Sequence, residues 1–230
     1  MKRKLLALLM VSAMTVSLMG CGSVAATTAG SAGAAGSGAS AGTAASGSTQ
    51  AAASASDLNV MLETPVESLD PQQATDGTSF EIIADYTDGL MQMDADGKSV
   101  PAIAESYDVS DDGLTYTFHL RKDAKWSNGD PVTAGDFVFG WQRAVDPTVA
   151  SEYAYMLSDI GQVKNAAEII AGKEDKSKLG VTAVDDNTLK VELAAPVSYF
   201  ASLMYFPTFY PVNEKFFNTC ADTYGTSPET

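Results

Sequence analysis

The stretch that decides the fold is GLTYTFHLRKDAKWSNGDPVTAGDFVFGWQR, residues 113–143. Its first part alternates apolar and polar side chains, and the apolar ones are Leu114, Tyr116, Phe118 and Leu120. A period of two predicts a strand with one buried face, so His119 is expected on the opposite, solvent-facing side. The run SNGDP at residues 127–131 follows, and its Asn-Gly pair favours a tight turn.

The second part of this stretch predicts an amphipathic helix. Thr133 is a suitable N-cap, and Asp136 three residues later can close a short form of the capping box. The side chains that fall on one face of the helix are Phe137, Trp141, Ala144 and Val145. Packing therefore explains both tryptophans of the chain, Trp126 and Trp141. We interpret the aromatic residues of the stretch as scaffold and not as an active site.

Patterns outside this stretch predict further strands and helices. Residues 57–63 alternate apolar and polar side chains, which predicts a half-buried strand. Residues 151–172 predict a helical stretch, and residues 180–193 predict a hairpin around an Asp-Asp-Asn turn. Residues 80–93 predict a helix whose core-facing side chains include Phe80, Ile83 and Ala84. Because no regular βαβ alternation is visible, we expect a mixed α/β or α+β fold.

The first 56 residues predict export and anchoring. The basic start KRK precedes an apolar run of about 15 residues and a glycine, which is the layout of a signal peptide over residues 1–20. The run is shorter than the roughly 20 residues that span a bilayer, which argues against a membrane helix. The sequence LMGC at residues 18–21 resembles a lipobox, so we expect Cys21 to be acylated. Residues 21–56 are mostly Ala, Gly, Ser and Thr and predict a flexible tether.

The charge balance excludes some classes of function. The formal net charge is −15 at pH 7, with 14 basic and 29 acidic residues. Three basic residues lie in the predicted signal peptide, so the remainder has 11 basic against 29 acidic residues, a charge of −18. This acidity argues against nucleic-acid binding, because phosphates are neutralised by basic patches.

No cluster of metal-binding or catalytic side chains stands out in the sequence. The chain has one histidine, His119, and one cysteine beyond the predicted anchor, Cys220. A structural zinc site takes about four Cys or His ligands, and neither a G-x-S-x-G nor a glycine-rich phosphate motif occurs. We therefore expect no metal, no cofactor and no catalytic residue. We also expect no internal disulfide, because Cys21 is assigned to the anchor.

The deciding stretch, extended to SDDGLTYTFHLRKDAKWSNGDPVTAGDFVFGWQRAVDP, resembles the signature of the extracellular solute-binding proteins that serve oligopeptide and dipeptide ABC importers. The pieces ESLDPQQ, DYTDGLM and ASEYAYML occur in the family's order. The resemblance implies a type II periplasmic-binding-protein clamp, with an incomplete first lobe at residues 57–87 and 213–230 and an extra α/β domain at residues 88–212. Because family members are much longer, it also implies an N-terminal fragment without the second lobe.

The same resemblance implies a function and partners. Members of the family capture short peptides in extended form between two lobes, hold them by main-chain hydrogen bonds and pass them to an ABC permease. It implies that this protein is a monomeric binding protein and not an enzyme. Its expected location is outside the cytoplasm, held to the cell membrane by the lipid on Cys21.

The resemblance also implies ligand-binding residues. These are Thr75, Asp76 and Gly77, in the loop after the first predicted strand, and Tyr153 in ASEYAYML. Thr75 stands where the family usually has a carboxylate, and Asp76 follows it. The alternatives are a plain loop for residues 75–77 and ordinary core packing for Tyr153.

Two other functions stay open at this point. A surface hydrolase acting on peptidoglycan or protein would need a carboxylate with a raised pKa in a cleft, and the sequence does not locate one. The other alternative is a binding protein for a non-peptide ligand, such as a nickel chelate, haem or a sugar.

Overall fold

The computed structural model describes residues 60–227, so the predicted signal peptide, the Cys21 anchor and the tether lie outside the described residues. The helices are α1 (Gly77–Tyr86), α2 (Ala134–Val145), α3 (Ala166–Ile170), α4 (Phe200–Leu203) and α5 (Glu214–Cys220). The strands are β1 (Met91–Met93), β2 (Ser99–Pro101), β3 (Ala104–Val109), β4 (Thr115–Leu120), β5 (Val181–Asp185) and β6 (Thr188–Glu192). Among residues 60–227, no helix combines the length and the apolar character that crossing a bilayer requires.

A four-stranded antiparallel sheet with the order β3-β4-β6-β5 organises the fold. Strand β4 pairs with β6 so that Phe118 lies opposite Leu189, and both side chains are fully buried on the face that α2 covers. His119 lies on the other face, where its Nε2 is 2.8 Å from Oδ2 of Asp108. The predicted strand, the predicted hairpin and the orientation of His119 are confirmed.

Helix α2 begins where the sequence predicts. The carboxylate of Asp136 accepts hydrogen bonds from the backbone N–H of Thr133 at 2.8 Å and from its hydroxyl at 3.1 Å. Trp141 is fully buried and donates its indole N–H to the carbonyl of Phe209 at 2.8 Å. Trp126 is half-buried and donates to Asp136 at 3.3 Å. Both tryptophans are packing residues, as predicted.

Residues 60–63 do not form the predicted strand. Val60 is 65% exposed and Met61 is 96% exposed, and no described strand pairs with this segment. A period of two indicates only on which side of the chain each side chain lies, whereas a strand also requires a hydrogen-bonded neighbour. The remainder of the predicted strand, residues 57–59, lies outside the described residues.

The helix predicted over residues 80–93 is also wrong in its bounds. Helix α1 starts three residues earlier because Asp76 caps it, and it ends before Thr87, which is extended. Residues 91–93 form strand β1 instead. Between helix and strand, Gly89 passes so close to the Met204 carbonyl that a Cβ atom would collide with it. This close approach takes the chain away from the helix axis.

The helical stretch predicted over residues 151–172 is divided. It contains a π-helical turn, Met156–Ile160, and the short helix α3. Between them, Gln162 and Asn165 have φ angles of 53° and 66°. These left-handed conformations cannot continue a right-handed helix.

The buried apolar side chains form two clusters. The larger one is drawn from residues 90–209 and lies between the sheet and the surrounding helices. The smaller one contains Ala74, Ile83 and Tyr210, with the half-buried Phe80 beside it. Ile83 therefore faces a core as predicted, whereas Ala84, the next residue around the helix, is exposed.

The described residues, 60–227, belong to one compact unit. The larger cluster falls within the residues assigned to an extra domain, and two members of the smaller cluster fall within those assigned to a first lobe. The boundaries of the lobe, at residues 57–87 and 213–230, and of the extra domain, at residues 88–212, stay a prediction.

A buried ion pair joins the segment before α1 to helix α2. Arg143, 6% exposed, donates to the two carboxylate oxygens of Asp70 at 2.6 and 3.1 Å and to Oε1 of Gln72 at 2.7 Å. The guanidinium also lies 4.3 Å from the ring centroid of Phe217 in α5. These contacts attach two segments to α2, one that precedes the sheet in the chain and one that follows it. Helix α2 itself packs against the sheet.

Candidate functional site

The predicted residues 75–77 lie at the start of α1. Asp76 is its N-cap, and Oδ1 accepts a hydrogen bond from the backbone N–H of Ser79 at 2.8 Å. Hydrogen bonds from Ser79 lower the pKa of Asp76, so its carboxylate stays charged at neutral pH. Thr75 and Gly77 are exposed, and Gly77 is the first helical residue and not part of a loop.

The second carboxylate oxygen of Asp76 takes no part in the cap. Its Oδ2 is buried and has no hydrogen-bond partner among the described residues. A charged oxygen without a partner is costly when it is removed from water, and native proteins leave few of them. Because the protein already covers Oδ2, this oxygen is not open to a ligand at the surface.

Tyr153 lies in the turn before the π-helical segment. It is half-buried, and its ring packs edge-on against Phe80 with centroids 5.2 Å apart. It also lies 5.3 Å from the ring of Phe206 and 5.7 Å from that of Tyr155. Within residues 60–227 its hydroxyl has no hydrogen-bond partner. The ring of Tyr153 therefore packs against other rings, which is the alternative stated above, while its hydroxyl forms no hydrogen bond within the described residues.

Phe80 connects the two predicted groups of residues. It lies one helical turn after Asp76, whose carbonyl accepts from its N–H at 3.1 Å. Its ring contacts Tyr153, and it lies 5.1 Å from the ring of Phe206. We call Phe80, Tyr153, Tyr155 and Phe206 the aromatic patch. The patch brings together three chain segments that are distant in sequence.

Three members of the aromatic patch could not be assigned to a site from the sequence. Phe80 carries the period of an amphipathic helix and was expected in a core, and Tyr155 and Phe206 lie in apolar runs without a distinctive spacing. Their grouping depends on tertiary contacts. The high density of aromatic residues in YFPTFYPV was the one available signal.

The turn that carries Tyr153 is conformationally unusual. Ala150, just before it, has a φ of 55°, and Gln162, just after the π-helical turn, has a φ of 53°. Both lie in a region that costs a side chain with a Cβ about 1 kcal/mol or more. Ser151 also has a buried hydroxyl oxygen without a partner. Strained backbone and π-helical turns are frequent at functional sites.

A separate cavity of about 580 Å³ lies elsewhere on the described chain. Its walls include Leu69 and Tyr86 from one side, Trp126 from the turn before α2, and Phe216 and Tyr224 near α5. None of the four predicted site residues lines it. The cavity is mostly apolar and is distinct from the aromatic patch.

A hydrolase would need a carboxylate with a raised pKa, and Asp136 is the candidate to consider among residues 60–227. Burial raises the pKa of Asp136, although hydrogen bonds from Thr133 and Trp126 partly oppose that shift. These hydrogen bonds occupy the carboxylate in capping α2. In this part of the chain, no group of three or more His, Cys, Asp or Glu side chains could hold a metal ion. The carboxylate of Asp136 therefore has a structural role at the start of α2.

Cys220 lies at the end of α5 and is half-buried as a free cysteine. Cys21 lies outside the described residues. The predicted lack of an internal disulfide therefore stays a prediction.

The family comparison agrees with the resemblance seen in the sequence. Residues 98–228 match the family of bacterial extracellular solute-binding proteins, family 5 Middle. The probable deoxycholate-binding periplasmic protein YgiS of Escherichia coli K12 is 48% identical over 145 residues, which are 63% of this chain and 27% of that protein. The dipeptide-binding protein of Lactococcus lactis subsp. cremoris is 42% identical over 173 residues, which are 75% and 31% of the two chains.

A solved structure shows the same fold. The structure of Listeria monocytogenes OppA bound to peptide superposes with a TM-score of 0.69 and 43% identity, covering 72% of this chain and 32% of that one. The predicted mixed α/β fold of type II periplasmic binding proteins is confirmed. The chain spans about 30% of the length of the relatives that it matches. It belongs to the bacterial extracellular solute-binding proteins of family 5.

Proposed function

We propose that the protein captures short peptides outside the cytoplasm and delivers them to an ABC permease of the oligopeptide or dipeptide type. Membership of the family supports this, as do the names of relatives, which include a dipeptide-binding protein and a peptide-bound OppA. The observation that carries the proposal is the approach of residues 75–77 to Tyr153 through Phe80. We infer that the residues that the resemblance assigns to the ligand lie on one surface, because Phe80 is hydrogen-bonded to Asp76 and packs against Tyr153.

This surface offers polar groups that suit a peptide backbone. The hydroxyl of Tyr153 can donate to a peptide carbonyl, and the negative charge of the Asp76 carboxylate favours an N-terminal ammonium group nearby. Thr75 and Gly77 are exposed, so their backbone is accessible to an extended ligand. Main-chain hydrogen bonds would hold peptides of varied sequence.

We propose that the bound peptide is released unchanged. Burial raises the pKa of Asp136 above its usual value, but the oxygens of this carboxylate are engaged by Thr133 and Trp126. The relatives above are named as binding proteins. Both points support a receptor over a hydrolase.

The organisation around this surface is also proposed. Residues 1–20 direct export, Cys21 carries the lipid, and residues 21–56 tether a monomeric binding domain to the cell membrane. Replacing the anchor residue, Cys21→Ser, is expected to move the protein from the membrane fraction to the soluble fraction. If the variant sediments with membranes as the parent does, the anchor assignment is wrong.

Titration calorimetry with the full-length protein tests the proposal. A mixed library of tri- to pentapeptides is expected to bind with little sequence preference, and mass spectrometry after the titration is expected to recover every peptide intact. Absence of heat from all peptides would reject peptide capture. Cleavage products would favour the hydrolase.

A second candidate is an apolar ligand such as a bile salt. A relative that is 48% identical is named as probably deoxycholate-binding, and half-buried rings such as those of the aromatic patch can pack against a rigid apolar body. Deoxycholate is therefore included in the titration. Heat from deoxycholate but from no peptide would favour this candidate.

A further inference from the structure

We propose, resting on the proposed function, that the aromatic patch and the carboxylates beside it select peptides that carry a cationic side chain. The patch provides ring faces, and the neighbouring residues provide negative charge. Both features lie on the surface proposed to contact the ligand. The inference concerns which peptides bind best there.

The chain segments that form the patch carry no basic residue. Lys and Arg are absent from residues 66–97, 144–163 and 191–214, which contain all four rings. These segments are far longer than the patch itself. Although 11 basic residues follow the predicted signal peptide, none of them belongs to the segments that carry the rings.

Carboxylates adjoin the rings in the same segments. Asp76 caps the helix that carries Phe80, Glu81 follows Phe80 directly, and Glu152 precedes Tyr153. Glu81 and Glu152 are exposed, and neither they nor Asp76 form an ion pair within the described residues. No ion pair among the described residues therefore neutralises these three charges, and we infer that they make the potential near the patch negative.

Aromatic faces add to this attraction. Tyr155 is 44% exposed, and it packs beside the half-buried Tyr153 with the two rings inclined at 30°. The negative face of an exposed ring attracts ammonium and guanidinium groups, and the attraction grows when the pair is shielded from water. A Lys or Arg side chain can place its apolar stem along the rings and its charge near Glu152. A neutral side chain gains only the apolar contact with the rings. An acidic side chain is repelled by the carboxylates.

Calorimetry with three matched tripeptides tests this inference on the full-length protein. The peptides are Ala-Lys-Ala, Ala-norleucine-Ala and Ala-Glu-Ala, which share a backbone and differ in the charge of one side chain. The lysine peptide is expected to bind about ten-fold tighter than the norleucine peptide, and the glutamate peptide is expected to bind weakest. Raising the salt from 0.05 to 0.5 M is expected to reduce the ratio, because exposed charges are screened.

Two substitutions locate the preference. Glu152→Gln removes one charge and Tyr155→Leu removes one ring face, and each is expected to lower the lysine-to-norleucine affinity ratio by about three-fold. Asp111→Asn is the matched control, because Asp111 is an exposed carboxylate in the β3-β4 turn, outside the patch. It is expected to leave the ratio unchanged.

The outcomes separate this inference from the proposed function. If all three peptides bind with equal affinity, peptide capture stands and the cationic preference is rejected. If none binds, the proposed function fails and the inference fails with it. A ratio that Glu152→Gln and Asp111→Asn lower equally would show an effect of net charge alone, which would overturn the role of the patch.

Discussion

The described chain contains two regions that are built differently. The sheet region, residues 90–209, contains the larger cluster of buried apolar side chains, including Phe118, Trp141 and Leu189. The small-core region, residues 60–87 and 213–227, buries few apolar side chains of its own. It is attached to the sheet region by the Asp70–Arg143 ion pair and by a hydrogen bond from Arg143 to Oε1 of Gln72 at 2.7 Å.

The two regions differ in what stabilises them and in what they contribute to the proposed site. Apolar burial stabilises the sheet region, whereas specific polar contacts hold the small-core region in register. The small-core region also retains exposed apolar side chains, among them Val60, Tyr86 and Phe216. Its helix α1 supplies Asp76 and Phe80 to the proposed site, and the sheet region supplies Tyr153 and Phe206.

The largest expected effect is on the core of the sheet region. Phe118→Ala removes a fully buried ring at the centre of the sheet, which is expected to lower the free energy of unfolding by about 4 kcal/mol. Ile83→Ala, in the small-core region, is expected to cost only about 2 kcal/mol because its neighbours can relax into the space. Urea unfolding measures both. Equal losses of unfolding free energy in the two variants would contradict the proposed difference between the regions.

The buried ion pair provides the next test. Arg143→Met leaves the carboxylate of Asp70, which is 2% exposed, without its cation, and is expected to cost about 3 kcal/mol. The double variant Arg143→Met with Asp70→Leu is expected to recover most of that loss, because no charge is then left buried. Limited proteolysis should show cleavage first in the small-core region. Cleavage that begins in the sheet strands would contradict the assigned role of the pair.

The pH dependence of stability offers a smaller effect. Burial raises the pKa of Asp136 above its usual 3.8, so the folded chain favours the protonated acid. Its contribution to the free energy of unfolding is therefore greatest below the pKa of the unfolded chain and declines as pH rises through the folded pKa. Asp136→Asn is expected to remove this decline between pH 3 and pH 7. Parallel stability curves for the parent and the variant would reject this interpretation, and Asp111→Asn serves as control.

The smallest effect on stability is expected at the proposed site. Tyr153→Phe removes a hydroxyl that has no partner in the described chain, so the free energy of unfolding should change by less than about 0.5 kcal/mol. Peptide affinity is expected to fall about five- to ten-fold, because one hydrogen bond to the ligand is lost. Tyr107→Phe, an exposed tyrosine on β3, is the control. A loss of stability without a loss of affinity would make Tyr153 a packing residue.

Parts of the sheet region were predictable because β3-β4 and β5-β6 pair strands that are neighbours along the chain, whereas the β4-β6 pairing joins strands distant in sequence. The alternation of β4 and the hairpin β5-β6 place strands beside strands, and Thr133 with Asp136 begins α2 locally. The period of two and the Thr133–Asp136 cap were therefore sufficient to predict these elements. The same reasoning failed for residues 60–63, where an alternating pattern has no described strand to pair with.

The site was only partly predictable for a related reason. Thr75, Asp76, Gly77 and Tyr153 came from a family resemblance and not from their local pattern. Their connection through Phe80 and Phe206 is a contact between residues more than 50 positions apart, which no local period contains. The start of α1 at Gly77 was placed three residues too late because Asp76 was assigned to a loop and not recognised as an N-cap.

Hydrogen–deuterium exchange of the full-length protein, with and without a saturating peptide, tests most directly the claim that peptides bind where the two regions meet. The account predicts that the peptide slows exchange at residues 75–80 and 150–160 and leaves strands β3 to β6 unchanged. Protection around the separate cavity at Leu69, Trp126 and Phe216, with none at residues 75–80 and 150–160, would contradict it.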